Sequence, residues 1–179
     1  MMFDYQPTLR GTVVELRPLR EEDEEALFAV ASDPLIWEQH PVRDRYKLDV
    51  FSAFFREFLA SGGALTVRDC RSGNVIGSSR YHAYNPHASE VEIGWTFLAR
   101  SHWGGIYNRE IKLLMLRHAF QFVGRVVFLI GPQNIRSQRA IERLGAIRVG
   151  SRADSAGRDA FIYEMTSVPN EMIRNLSCG

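Results

Sequence analysis

Apolar positions along this chain change their period several times, and each change marks an element. Val14, Leu16 and Pro18 alternate with Val13, Glu15 and Arg17 across Thr12–Leu19, the repeat of a half-buried strand. Ala26, Leu27, Val30 and Ala31 then recur at helical spacing, behind an acidic run at 21–25 that suits the positive end of a helix and reads as a solvated face. Turn residues break the pattern in "DPLIWEQHPVRDRY", which reads as a loop. Val50, Phe51, Phe54, Phe55, Phe58 and Leu59 return to spacings of three and four, a core-facing helix stopped at Gly62–Gly63. "ALTVRD" and "NVIGSSRYHAY" read as strands joined through Ser72–Gly73. "EVEIGWTFL" is another, with Val91, Ile93 and Trp95 on one face and Glu90, Glu92 and Gly94 on the other.

The second half is more regular. Ile111, Leu114, Met115, His118, Ala119 and Phe122 trace one helical stripe that ends near Gly124. Val126–Ile130 is short and apolar throughout, as in a strand covered on both sides. "NIRSQRAIERLG" is a helix with Asn134 as N-cap and Gly145 past its end. "AIRVGSR" and "DAFIYEMTS" close the chain as two strands around a turn at Gly157. Strands alternating with helices in this half predict an α/β architecture, one sheet with crossover helices.

Composition narrows the function classes. The 179 residues are 45% hydrophobic and 24% charged, enough for one sizeable core, and the expectation is a single domain over residues 1–179. A net charge of +1 lacks the strong basic excess of a nucleic-acid binder. No apolar run approaches the length of a membrane span, and "MMFDYQPTLRG" lacks the apolar stretch of a leader peptide. Two distant cysteines, Cys70 and Cys178, predict no disulfide framework, which fits a cytoplasmic protein. The five histidines form no metal-ligand spacing, and no GxSxG element points to hydrolysis, so neither a metal nor a hydrolase is expected.

The candidate chemistry lies in two helix starts. Gly104 and Gly105 precede the long helix of the second half, and bare amides at such a start attract an anion. The spacing matches neither a P-loop nor the GxGxxG dinucleotide fingerprint. One crossover later, Asn134 and Ser137 occupy the first turn of another helix at the same end of the sheet, where α/β proteins gather their ligands.

With "LRPLREEDEEAL", "EIGWTFL", "WGGIYNREIK" and "NIRSQRAIERLGA" in this order, nearly the whole chain resembles the GCN5-related N-acetyltransferase superfamily, in particular its ribosomal-protein N-terminal acetyltransferase-like branch. The resemblance implies a mixed, mostly antiparallel sheet splayed between two strands and flanked by about four helices. It further implies acetyl-CoA as co-substrate, with Phe97 and Leu98 pairing the pantetheine arm. Arg100, Trp103, Gly104, Gly105, Ile106, Tyr107 and Asn108 would surround the phosphates, and Asn134 and Ser137 would complete the coenzyme site. Ile106 stands where relatives carry a second glycine, Asn108 where they carry a small residue, and Ile141 where many carry a proton-donating tyrosine. Ser137 is the substitute donor that this branch offers, and a homodimer is a family-level expectation.

Acetyl transfer to an amine needs a base, and Glu92 on the central strand is the first candidate, with Glu90 as the same-face alternative. Both could instead be solvent-facing or paired with arginine. Ser137 and Asn134 have rival roles as helix caps, and Trp103 as a packing anchor. Trp37 and Arg43, in the loop after the first helix, are candidates for the rim that meets the acceptor, a small-molecule amine or a protein N-terminus. Two other readings stay open: a non-catalytic coenzyme-binding or scaffold protein on the same fold, and a nucleotide-phosphate binder.

Overall fold

A computed structural model describes residues 2–168. Eight strands form one sheet in the order β1-β2-β3-β4-β5-β6-β8-β7. They are β1 (Leu9–Arg10), β2 (Val14–Pro18), β3 (Ala64–Asp69), β4 (Val75–Asn85), β5 (Glu90–Leu98), β6 (Arg125–Ile130), β7 (Ile147–Ala153) and β8 (Asp159–Met165). Four helices accompany them: α1 (Glu24–Ala31), α2 (Leu48–Ala60), α3 (Ile106–Ala119) and α4 (Ile135–Glu142). Every strand pair is antiparallel except β5–β6, which α3 connects. The expected mostly antiparallel sheet with four helices is the one observed.

Side-chain alternation divides the interior into two apolar layers. Leu65 and Val67 of β3 join a layer with Ile111, Met115, Leu116 and Ala119 of α3 and Ile141 of α4. Ala64 belongs to the opposite layer, with Leu27 of α1 and the phenylalanines of α2. Phe51, Phe54, Phe55 and Phe58 are buried, Phe54 and Phe58 stacking at 4.8 Å. Gly62 ends that helical segment at φ +66, a conformation that glycine adopts without steric cost.

Four expectations change. Asp23 does not belong to a solvated face: it is 3% exposed and accepts bonds from Arg17 at 2.6 and 2.8 Å, Thr66 Oγ1 at 2.7 Å and the Arg20 amide at 3.0 Å. A carboxylate is buried at tolerable cost only with such partners. The loop at 33–46 contains a short 3-10 turn, Pro34–Ile36, capped by Asp33 Oδ1 on the Leu35 amide at 3.0 Å. The long helix ends at Ala119, short of Phe122, and buries Glu110 and Lys112 as well as its apolar stripe, while Leu114 is half-buried. Finally, Trp95 does not share a face with Val91 and Ile93. A bulge between the β4 partners Ser78 and Arg80 holds Trp95 at φ +53 and shifts the alternation, so that Trp95 and Phe97 face α2. Cys178 lies outside the described residues.

Glu110 ties α3 to the sheet. Its carboxylate accepts the amides of Thr12, Val13 and Val14 at 2.8, 2.7 and 2.9 Å. Gly11 leaves it room, since a Cβ there would sit 2.4 Å from the Glu110 carboxyl carbon.

Candidate active site

The one parallel seam is short. Glu90, Val91 and Glu92 face Arg125, Val126 and Val127, and there the register ends. Beyond it, β5 continues from Ile93 to Leu98 paired only with β4, and β6 continues from Phe128 to Ile130 paired only with β8. The strands part and leave a cavity of about 310 Å³ between them. Its walls include Glu92–Leu98 on one side and Phe128–Gly131 on the other. The bulge at Trp95 interrupts the regular β4–β5 ladder in this part of β5.

Both helix starts reach the cavity. Gly104 adopts φ +69 and Gly105 caps α3 without any side-chain hydrogen bond to the free amides. A Cβ built on either glycine meets no atom within 4 Å, so open space adjoins the main chain. Gly104 and Asn108 line the cavity. Ile106 is 59% exposed and does not line it, so the residue that replaces the usual glycine leaves the amides uncovered. Tyr107 is half-buried in the core beside His102, with ring centroids 4.6 Å apart. Arg100 lies outside the cavity, in an ion pair with Asp33.

Asn134 caps α4, its Oδ1 accepting the Ser137 amide at 3.1 Å, and both residues also line the cavity. Ser137 Oγ makes no hydrogen bond among the described residues. Ile141 is buried in the same wall, and no tyrosine lines the cavity among the described residues. Trp103 is anchored, as one of its two readings had it, and also lines the cavity. Its Nε1 donates to the Leu98 carbonyl at 2.9 Å while its ring lines the cavity beneath the Arg136 guanidinium, 4.0 Å away. Phe97 and Leu98 are buried cavity walls.

Glu92 is the carboxylate at the point of divergence. It is 5% exposed, and burial pushes its pKa up to about 7 against the pull of Arg152 and Arg80. Glu90, the alternative, is bound by Arg125 at 2.7 Å and lies outside the cavity. Trp37 is buried, donates its Nε1 proton to the Ala31 carbonyl at 2.8 Å, and lines the cavity. Arg43 is exposed and does not reach the cavity; Arg45, two residues on, does.

Among the cavity residues that escaped the sequence reading, Lys112, Arg45 and His40 carry the strongest pKa perturbation. Lys112, 4% exposed, bonds Thr96 Oγ1 and, at 3.4 Å, Ser79 Oγ; burial drops its pKa to about 7. A lone lysine inside the apolar run "IKLLML" was the available signal. Arg45 and His40 come from the irregular loop at 33–46, where no period distinguishes inward from outward positions. Among the described residues, no three His, Cys, Asp or Glu side chains form a metal cluster, and no helix is long and apolar enough to cross a membrane.

Comparison with known proteins agrees with this geometry. Residues 14–147 match the family model of the acetyltransferase (GNAT) domain. A candidate acetyltransferase from T. thermophilus superposes with a TM-score of 0.74 at 30% identity, over 92% of this chain and 92% of that one. An acetyltransferase from Agrobacterium tumefaciens superposes with a TM-score of 0.71 at 26% identity, over 93% and 98%. RimJ of Mycobacterium smegmatis, solved with CoA-disulfide, shares the fold with a TM-score of 0.67 at 20% identity, over 90% and 86%. Among curated proteins, none matches the sequence.

Proposed function

Since the chain belongs to the GNAT family of acetyltransferases, we propose that it moves an acetyl group from acetyl-CoA to a primary amine by direct attack, without an acyl-enzyme. One observation carries the reading: the sheet opens at Glu92, and the carboxyl facing that opening has a pKa of about 7. A base poised near neutral pH combines a large deprotonated fraction with real proton affinity.

The residues present suit the coenzyme. The amides after Gly104 and Gly105 are uncapped and face open space, the arrangement that holds a diphosphate. The main chain of Phe97 and Leu98 runs along the diverging edge, where an extended amide-bearing arm finds partners. The coenzyme supplies the activated acyl carbon, and the rest of the chemistry falls to the chain.

Glu92 takes a proton from the acceptor's ammonium, directly or through water. The amine nitrogen then bonds to the acyl carbon, and the carbon–sulfur bond breaks with its electron pair going to sulfur. Ser137 Oγ, free of other partners, donates to the departing sulfur in place of the tyrosine that Ile141 replaces. The ammonium loses two protons overall; one balances the thiol and the other reaches solvent through Glu92. Holding amine and acyl carbon in one gap supplies several kcal/mol of the barrier reduction.

Calorimetric titration with acetyl-CoA, followed by a thiol-release screen over small amines and peptide N-termini, tests the reading. Micromolar binding with turnover on some amine is expected. Absence of binding at millimolar ligand would remove the proposal. Binding without thiol release on any amine would favour a non-catalytic coenzyme binder, the rival that Ile141 invites.

A further inference from the structure

The cavity wall supplied by the loop at 33–46 holds a cation with no ion-pair partner among the described residues. Arg45 is 8% exposed and lines the cavity. Its guanidinium lies 4.0 Å from the Phe54 ring centroid and 5.5 Å from that of Trp37. Its one hydrogen bond among the described residues runs from Nη1 to His40 Nε2 at 3.3 Å. Arginine only donates, so Nε2 accepts and the imidazole is neutral; burial and the Arg45 charge hold the His40 pKa at about 3.

No carboxylate forms an ion pair with Arg45 among the described residues. Glu57 and Asp44 act on it only through their fields, without contact, and Asp154, which also lines the cavity, is already held by Arg158 at 2.9 Å. Arg80, on the strand beside Glu92, repeats the theme. It is 5% exposed and lies 3.6 Å from the Trp95 ring centroid; among the described residues it makes no ion pair, feeling Glu92 only through its field, and its Nε is buried without a partner. Burial lowers the pKa of Arg45 to about 10, which still leaves it charged at neutral pH.

A buried charge without a counter-ion is costly, and the aromatic contacts return only part of that cost. Both arginines pack on phenylalanines of α2, Arg45 on Phe54 and Arg80 on Phe58 at 5.6 Å, and the Arg80 charge acts on both Arg45 and Glu92. We propose that the acceptor is a small molecule carrying both a primary amine and an anionic group, a carboxylate or a phosphate, which Arg45 pairs inside the cavity while the amine lies toward Glu92. The inference rests on the acetyl-transfer reading and narrows it. Arg45 is too buried for a partner that stays on the surface, so the anion must enter the cavity. A polycationic amine would bring more positive charge to an unpaired guanidinium and is disfavoured for the same reason.

The test compares matched amines in the thiol-release assay: glutamate against glutamine, β-alanine against its amide, O-phosphoethanolamine against ethanolamine, and spermidine as the polycation. The wild type should prefer the anionic member of at least one pair by about 100-fold in kcat/KM, the worth of a buried charge-assisted bond. The carboxylate and phosphate arms identify which anion is read. In Arg45→Met that preference should fall below about fivefold through KM, and Arg45→Lys should restore part of it. Unchanged calorimetric affinity of Arg45→Met for coenzyme A would establish that the variant is folded.

Equal or better turnover of the neutral or polycationic amines overturns this inference and leaves acetyl transfer intact. So does a preference that survives in Arg45→Met. Absence of thiol release on every amine overturns acetyl transfer and this inference together.

Discussion

Glu92 sits where two demands conflict, and its variants should separate them. As a base it must be deprotonated, so kcat/KM should rise with pH through about 7 and then level off. Glu92→Gln should lower kcat by about 100-fold or more, leave coenzyme affinity within twofold, and abolish that limb of the pH profile. Stopped thiol-release kinetics from pH 5.5 to 9 check all three. Glu92 was legible because a carboxylate on a central strand is chemically conspicuous. Arg45 was not legible, since Arg43 and Arg45 have the same local context in an aperiodic loop and only the packing against Trp37 and Phe54 turns one of them inward. Asn134 was legible as a cap in the sequence and is one in the structure.

The two glycines at the start of α3 make opposite predictions. Gly104 at φ +69 would be strained by any side chain, at about 1 kcal/mol for alanine. Gly105 has φ −115, an ordinary value for any residue, and its missing Cβ faces open space. Gly105→Val should therefore leave Tm within about 2 °C while weakening acetyl-CoA binding by about tenfold or more. Calorimetry beside thermal melting separates the two effects. Strong affinity in a well-folded Gly105→Val protein would show that the diphosphate lies elsewhere. Elements with one clean period were read correctly from sequence, as α2 and β6 illustrate. The position of the bulge in β5 was not, because alternation of apolar and polar residues runs through Gly94 and Trp95 without a visible break; only the family resemblance implied that this strand is bulged. Trp95 has a positive φ and packs against Arg80 from the neighbouring strand, a contact that no local pattern encodes.

Across the whole molecule, Glu92 and Lys112 set a shared pH dependence of stability. The Glu92 pKa is raised from 4.5 to about 7, so the unfavourable burial of its charged form develops as pH climbs from about 4.5 to 7. The Lys112 pKa is lowered from 10.5 to about 7, so its unfavourable charge develops as pH falls from about 10.5 to 7. Each contributes a few kcal/mol at its charged extreme. Glu92→Gln should accordingly raise Tm at pH 8.5 and leave it unchanged at pH 4.5. Lys112→Met should raise it at pH 6 more than at pH 10, because Ser79 and Thr96 still bond each other at 2.7 Å. Thermal melts of both variants and the double variant over that range check the signs. A Tm for the double variant that follows the wild-type pH curve would contradict the assignment.

The three-rung seam between β5 and β6 has one more consequence. It makes the sheet two antiparallel halves, β1–β5 and β6–β8, stitched along a single short line. An extended guest with peptide-like amides that lies in the gap takes up rungs the halves leave unclaimed, and so becomes for a moment part of the protein's own weave. Slowed amide exchange should then spread along Gly94–Leu98 when such a guest is bound, with the donor acting as a borrowed strand.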